Sequence, residues 1–209
     1  MRSTLAIRLR PWTQQPQETG AVRVAPASAV PRAESRPPIW LLDVDGVLNA
    51  VNVLAALDGV EWADYTQGSA TDIHTYNIVW SPSLVQRICR LHDDELVEVR
   101  WLTTWCDRAK SEIAPLLKLP NLEVIDRPHQ GQGWWKLPLA QQVAGAEPGR
   151  AIIWTDDDLG SDRSAMQWIE TEHGKTGRRI LAVTPTWKTG ISRPQMDAIE
   201  AFARQVTGR

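Results

Sequence analysis

Apolar and polar positions alternate in blocks along most of this chain. Ile39–Val44 is an almost unbroken apolar run and predicts a strand buried on both faces. "TYNIVW", 75–80, reads as a strand. From Pro82 to about His92 the period lengthens: Leu84, Val85, Ile88 and Leu91 share one helical face, with Ser81 as the cap. A strand follows over Leu96–Leu102, then a helix over Asp107–Leu117 that Pro115 bends or delays. Leu122–Ile125 is a short strand, 126–135 a Gly-rich loop and Lys136–Val143 a helix. "RAIIWT", 150–155, is a strand that runs into three aspartates. A helix over Arg163–Glu172, a strand over 178–183 and a last helix over 194–206, with Ser192 near its start, complete the series. Strands alternating with helices imply an α/β fold: a parallel sheet with helices on both faces and chemistry at the carboxyl ends of the strands.

Residues 1–38 break the pattern. They hold Pro11, Pro16, Pro26, Pro31, Pro37 and Pro38, six arginines, two glutamates and almost no periodicity. They read as a disordered basic, Pro-rich tail, and 39–209 as one domain. "MRSTLAIRLR" has the makings of an amphipathic helix or a transit-peptide mimic. It lacks the continuous apolar core of a secretory signal.

Composition narrows the classes. The chain has 209 residues, 43% of them apolar and 23% charged, as in an ordinary soluble domain. Its net charge is -2, and about -6 without the tail, which argues against a strongly basic nucleic-acid binder though not against a local patch. Cys89 and Cys106 are the only cysteines, which fits a reducing compartment and a cytoplasmic protein. No apolar run reaches the roughly 18 residues of a membrane helix. The 11 tryptophans are spread along the chain and read as core or cleft walls.

The predicted strand ends collect unusual residues. The first delivers Asp43 and Asp45, the second Thr103 and Thr104, the fourth Asp156, Asp157 and Asp158. Lys136 opens the helix before the fourth. Each has an ordinary reading alone: a turn after a strand, plain strand threonines, a helix cap, a surface lysine. Acids gathered at one sheet edge repel unless a cation offsets them, and all-oxygen ligands suit a hard ion such as Mg²⁺. A helix–loop–helix calcium site is excluded, because Leu48 stands where its glycine belongs and Leu54 where its glutamate belongs.

"LLDVDGVLN", "VRWLTTW", "WWK" and "AIIWTDDD" together resemble the four ordered motifs of the haloacid-dehalogenase-like (HAD) phosphohydrolase superfamily over roughly residues 39–185. "WLTTW" and "IIWTDDD" further resemble the HAD domains associated with Swiss-army-knife RNA repair proteins. The resemblance implies a Rossmann-like core of five parallel strands in the order 5-4-1-2-3. It implies that Asp43 is the nucleophile and forms an aspartyl-phosphate, and that Asp45 is the general acid and base. Thr103 would hydrogen-bond a phosphoryl oxygen, with Thr104 the alternative register. Gly46 would turn the chain so that both carboxylates face one substrate. Lys136 would neutralise transition-state charge and restrain Asp43. Asp43, the backbone carbonyl of Asp45, Asp156 and Asp157 would hold Mg²⁺, with Asp158 and Asp162 also in reach of the ion or its waters. Since dehalogenases of the superfamily lack the second aspartate, Asp45 favours phosphate-ester chemistry.

Little chain is spare for a cap between Thr103 and Lys136. The spare length at 49–80 makes a flap rather than a domain, and an open site suits a large substrate such as a nucleic-acid end or needs a partner to close it; the phosphorylated substrate is a small molecule or a nucleic-acid end. Trp62, Tyr65, His74 and Trp80 either pack the flap or stack on a base. Arg127 and His129 sit in the loop expected near the cleft, and Cys106 reads as structural. The expectation is a Mg²⁺-dependent phosphatase with no membrane partner. The alternative is a non-catalytic phosphate-binding or interaction module that kept the fold.

Overall fold

The computed structural model of the chain describes residues 22–24, 36–52, 61–126 and 134–209. Its strands are Val22–Val24 (β1), Ile39–Leu42 (β2), Thr66–Thr71 (β3), Thr75–Trp80 (β4), Glu98–Trp101 (β5), Glu123–Val124 (β6), Ile152–Thr155 (β7) and Ile180–Val183 (β8). Its helices are Pro82–Asp93 (α1), Ala114–Leu117 (α2), Lys136–Ala146 (α3), Arg163–Thr176 (α4) and Arg193–Thr207 (α5). One sheet runs β1-β8-β7-β2-β5-β6 and a separate hairpin pairs β3 with β4. The five strands from β8 to β6 are parallel, in the 5-4-1-2-3 order that the resemblance implied.

Period-two alternation explains why both faces of this sheet are covered. Trp40 and Leu42 point into one core with Val99, Trp101, Ile153, Leu181 and Val183. Ile39 and Leu41 point into the other with Ile152, Trp154, Ile180 and Ala182. The first core is closed by α1, α2 and α5, the second by α3 and α4. Burial of that many large side chains, at about 25 cal/mol per Å² of apolar surface, drives the assembly. Helix ends follow local rules: Ser81 caps α1 through the Leu84 N–H, and Ser192 and Gln195 form a capping box on α5.

Three features differ from the sequence reading. Val22–Val24, inside the stretch read as a tail, pairs antiparallel with β8 and covers that edge of the sheet. The rest of that stretch up to residue 35 lies outside the described residues, as do Arg127 and His129. The helix expected over Asp107–Leu117 is a π-helical turn, Ala109–Ile113, running into α2, with Pro115 in the first turn of the α part, where a proline is tolerated. The flap gains a strand, β3, whose mostly exposed face gives no apolar alternation to read.

The flap packs by its own polar tips. Trp62 is buried and donates from Nε1 to the Ile191 carbonyl (2.7 Å), and the Tyr65 hydroxyl donates to the Thr189 carbonyl (2.8 Å). Trp80 is buried as well. Of the four aromatic residues singled out in the flap, His74 is the one left exposed. Among the described residues no helix is long and apolar enough to cross a membrane.

Candidate active site

The ladder carries the carboxylates to the sheet edge. The Asp43 N–H donates to the Thr155 carbonyl and the Asp156 N–H to the Val183 carbonyl, each one residue past its strand. Because β2 and β7 are neighbours in register, Leu42 against Thr155, Asp43 and Asp156 emerge side by side. Lys136, the first residue of α3, reaches between them. Its Nζ lies 2.6 Å from Asp43 Oδ2 and 2.6 Å from Asp156 Oδ2. All three side chains are buried. A cation at a helix N-terminus opposes the helix dipole. Two carboxylates make this placement tolerable, and that ties α3 to the ends of both strands.

Asp157 completes the group: oxygens of Asp43, Asp156 and Asp157 all lie within 4.8 Å of one another. Gly46 is needed for this approach. Its φ is +67°, and a Cβ there would sit 2.3 Å from Asp157 Oδ2. The glycine expected to make a sharp turn therefore also leaves room for an acidic neighbour. Asp43 Oδ1 accepts from the Val44 N–H (2.7 Å), the Thr103 side chain lies near the same carboxylate, and Asp156 Oδ1 accepts from the Asp158 N–H (3.0 Å).

The structure separates residues that the sequence left together. Thr103 is buried beside Asp43, whereas Thr104 is exposed. Asp162 caps α4 through the Ala165 N–H (2.7 Å), and Asp158 is exposed, its carbonyl accepting from Ser161. The carboxylate of Asp45 lies outside the three-acid cluster and is held by Asn49 Nδ2 (2.8 Å) and Trp105 Nε1 (2.9 Å). Asn49 and Trp105 sit inside the two quoted motifs, yet drew no role from sequence. The available signal was a buried amide and an indole beside acids, both of which need partners. Cys106, at φ +46°, closes the turn with its N–H on the Thr103 carbonyl.

One ammonium cannot neutralise three carboxylates out of water. Burial raises the Asp43 carboxyl above the ordinary aspartate value, against Lys136. Burial, and then the charge of Asp43, pushes Asp156 up to about 8. Burial, with Asp158 and Asp43 behind it, pushes Asp157 up to about 6. For Lys136 burial acts downward, but Asp43 and Asp156 outweigh it and hold the amine charged. Folded-state values above 3.8 mean that the native cluster binds more protons than the unfolded chain over about pH 4 to 8. Stability without a divalent ion therefore falls as pH rises through that window. An ion that takes the ionised carboxylates reverses the trend. Millimolar Mg²⁺ is expected to raise the thermal midpoint more at pH 8 than at pH 5, both measured against a chelator control. A rise of equal size at the two pH values, or none, would remove the ion from this cluster.

A family model for the HAD domain in Swiss Army Knife RNA repair proteins matches residues 39–196. No curated protein and no solved structure matches the chain.

Proposed function

This chain belongs to the family of HAD domains in Swiss Army Knife RNA repair proteins, and from that premise we propose that it hydrolyses phosphate monoesters through an aspartyl-phosphate on Asp43. The observation that carries the proposal is Lys136 Nζ at 2.6 Å from both Asp43 and Asp156, beside Asp157 at the carboxyl edge of the sheet. The family's general chemistry is of the phosphohydrolase type. The finer roles are our reading of the geometry.

The donor set suits Mg²⁺: carboxylate oxygens, clustered and short of positive charge. Asp43, Asp156 and Asp157 would hold the ion, with the backbone carbonyl of Asp45. When bound it supplies charge for the carboxylates and for the phosphoryl oxygens. Asp43 is the residue placed to attack: one oxygen is fixed by Lys136, the other by the Val44 N–H. Its oxygen bonds to phosphorus as the bond to the leaving oxygen breaks, and Asp45 gives that oxygen a proton. Asp45 then takes a proton from water, whose oxygen attacks phosphorus, releasing inorganic phosphate and restoring Asp43. Lys136 and the Thr103 hydroxyl stabilise charge on the transferring group.

Access favours a large leaving group. The described part of the flap is a hairpin, β3–β4, with no domain built on it. We therefore expect end-phosphorylated oligonucleotides to be turned over with a kcat/KM at least about tenfold above that for sugar phosphates and mononucleotides, in Mg²⁺ buffer. Equal or reversed preference would remove the nucleic-acid end from the proposal and leave the phosphatase.

A further inference from the structure

Asp45, like Asp157, is only partly buried, unlike Asp43 and Asp156, yet both its oxygens are engaged. Asn49 Nδ2 donates to Oδ1 at 2.8 Å and Trp105 Nε1 donates to Oδ2 at 2.9 Å. A partly exposed carboxylate needs no protein partner, because water can reach it. Two fixed donors on one such group therefore orient it.

Both donors are in turn tied to the β3–β4 hairpin. Asn49 is buried, and its Oδ1 accepts the Val79 N–H at 2.9 Å while the Ala50 N–H donates to the Val79 carbonyl at 2.7 Å. Trp105 is buried too, and its ring meets Tyr76 edge-on, centroids 5.5 Å apart at 74°. Val79 and Tyr76 lie on the same strand, β4. The amide and the indole, one on each oxygen of the carboxylate, thus both lean on one element.

We propose that Trp105 and Asn49 are positioning residues for Asp45, and that the hairpin sets the direction in which Asp45 exchanges its proton. The proposal rests on the phosphatase reading above. An indole N–H only donates, and each carboxylate oxygen has two acceptor sites. The proton on Asp45 must occupy a site that neither donor fills, so the donors dictate where it leaves. Freed of them, Asp45 turns about two side-chain torsions and loses the near-attack geometry on which proton transfer depends.

Trp105→Phe keeps the aromatic packing against Tyr76 and removes the donor. The test compares an alkyl phosphate monoester, whose leaving oxygen needs a proton, with p-nitrophenyl phosphate, whose leaving oxygen does not. The expected result is a fall of about tenfold in kcat/KM for the alkyl ester and less than twofold for the aryl ester. A merely structural role lowers both equally, and that outcome, or no change in either, overturns the inference while leaving the phosphatase intact. A wild-type protein inactive on both esters overturns the phosphatase reading instead. Indole N–H spectra supply the arm that is independent of turnover. The signal missing in Trp105→Phe is expected to move in Asp45→Asn. A signal that stays put shows the two side chains are not bonded and ends the proposal.

Discussion

Asp43→Asn is expected to lose phosphate-ester hydrolysis by at least about 10³-fold while the fold survives. Loss of a nucleophile costs this much because the remaining groups still bind and polarise the substrate but have nothing to form the covalent bond with. The amide matches the carboxylate in shape and can still offer Lys136 an oxygen. It also removes one of the acids that crowd Asp156, whose raised value owes most to burial and next to the Asp43 charge. Relief of that repulsion offsets the weaker contact to Lys136, so the thermal midpoint should stay within a few degrees. Steady-state turnover of p-nitrophenyl phosphate in Mg²⁺, with circular dichroism as the control for folding, checks both halves. Unchanged turnover in a folded variant would place the nucleophile elsewhere and reject the aspartyl-phosphate mechanism.

That Asp43 and Asp156 would share one sheet edge was legible from topology. Parallel strands buried on both faces are continuous apolar runs, and "IWLL", "IIWT" and "ILAV" are such runs. Once the runs alternate with helices, their ends share one edge, so residues far apart in sequence, Asp43 and Asp156, can be placed together from order alone. The elements that escaped lack such signals. Val22–Val24 is three residues long and sits among prolines, and only its pairing with β8 makes it a strand. In β3, "TQGSAT" leaves a single residue, Ala70, fully buried, so no apolar period marks it. The π-helical turn before α2 depends on hydrogen-bond spacing that composition does not encode.

The site shows the same division. Which acids gather followed from strand ends. Which neighbour each acid has did not, because that depends on packing across the fold. Asp162 read as within reach of the ion or its waters, but it stands just before a helix and its oxygen is used by the Ala165 N–H. Asp45 and Asp43 are two residues apart and look equivalent, yet one faces Lys136 and the other faces Trp105 and Asn49. Two carboxylates in different surroundings can take different roles, and here the surroundings are the first residue of α3 for Asp43 and, for Asp45, an amide four residues on and a distant indole.

Lys136→Met is expected to be the most destabilising single change in the site, by about 3–5 kcal/mol near neutral pH without divalent ions, the range for removing one partner of a buried ion pair. The substitution keeps an unbranched apolar stem and removes the ammonium that bridges Asp43 and Asp156. Since whole domains have only about 5–15 kcal/mol to lose, a urea melt will show it clearly. Two further responses separate charge from packing. The deficit should shrink at pH 5, where the carboxyls already pushed upward by burial carry protons, and it should shrink with Mg²⁺ at pH 8, because the ion replaces the missing charge. Combining it with Asp156→Asn should cost less than the two changes separately, since the second removes one of the charges that the first leaves uncompensated. A loss under about 1 kcal/mol, insensitive to pH and to Mg²⁺, would mean that the acids never depended on the lysine.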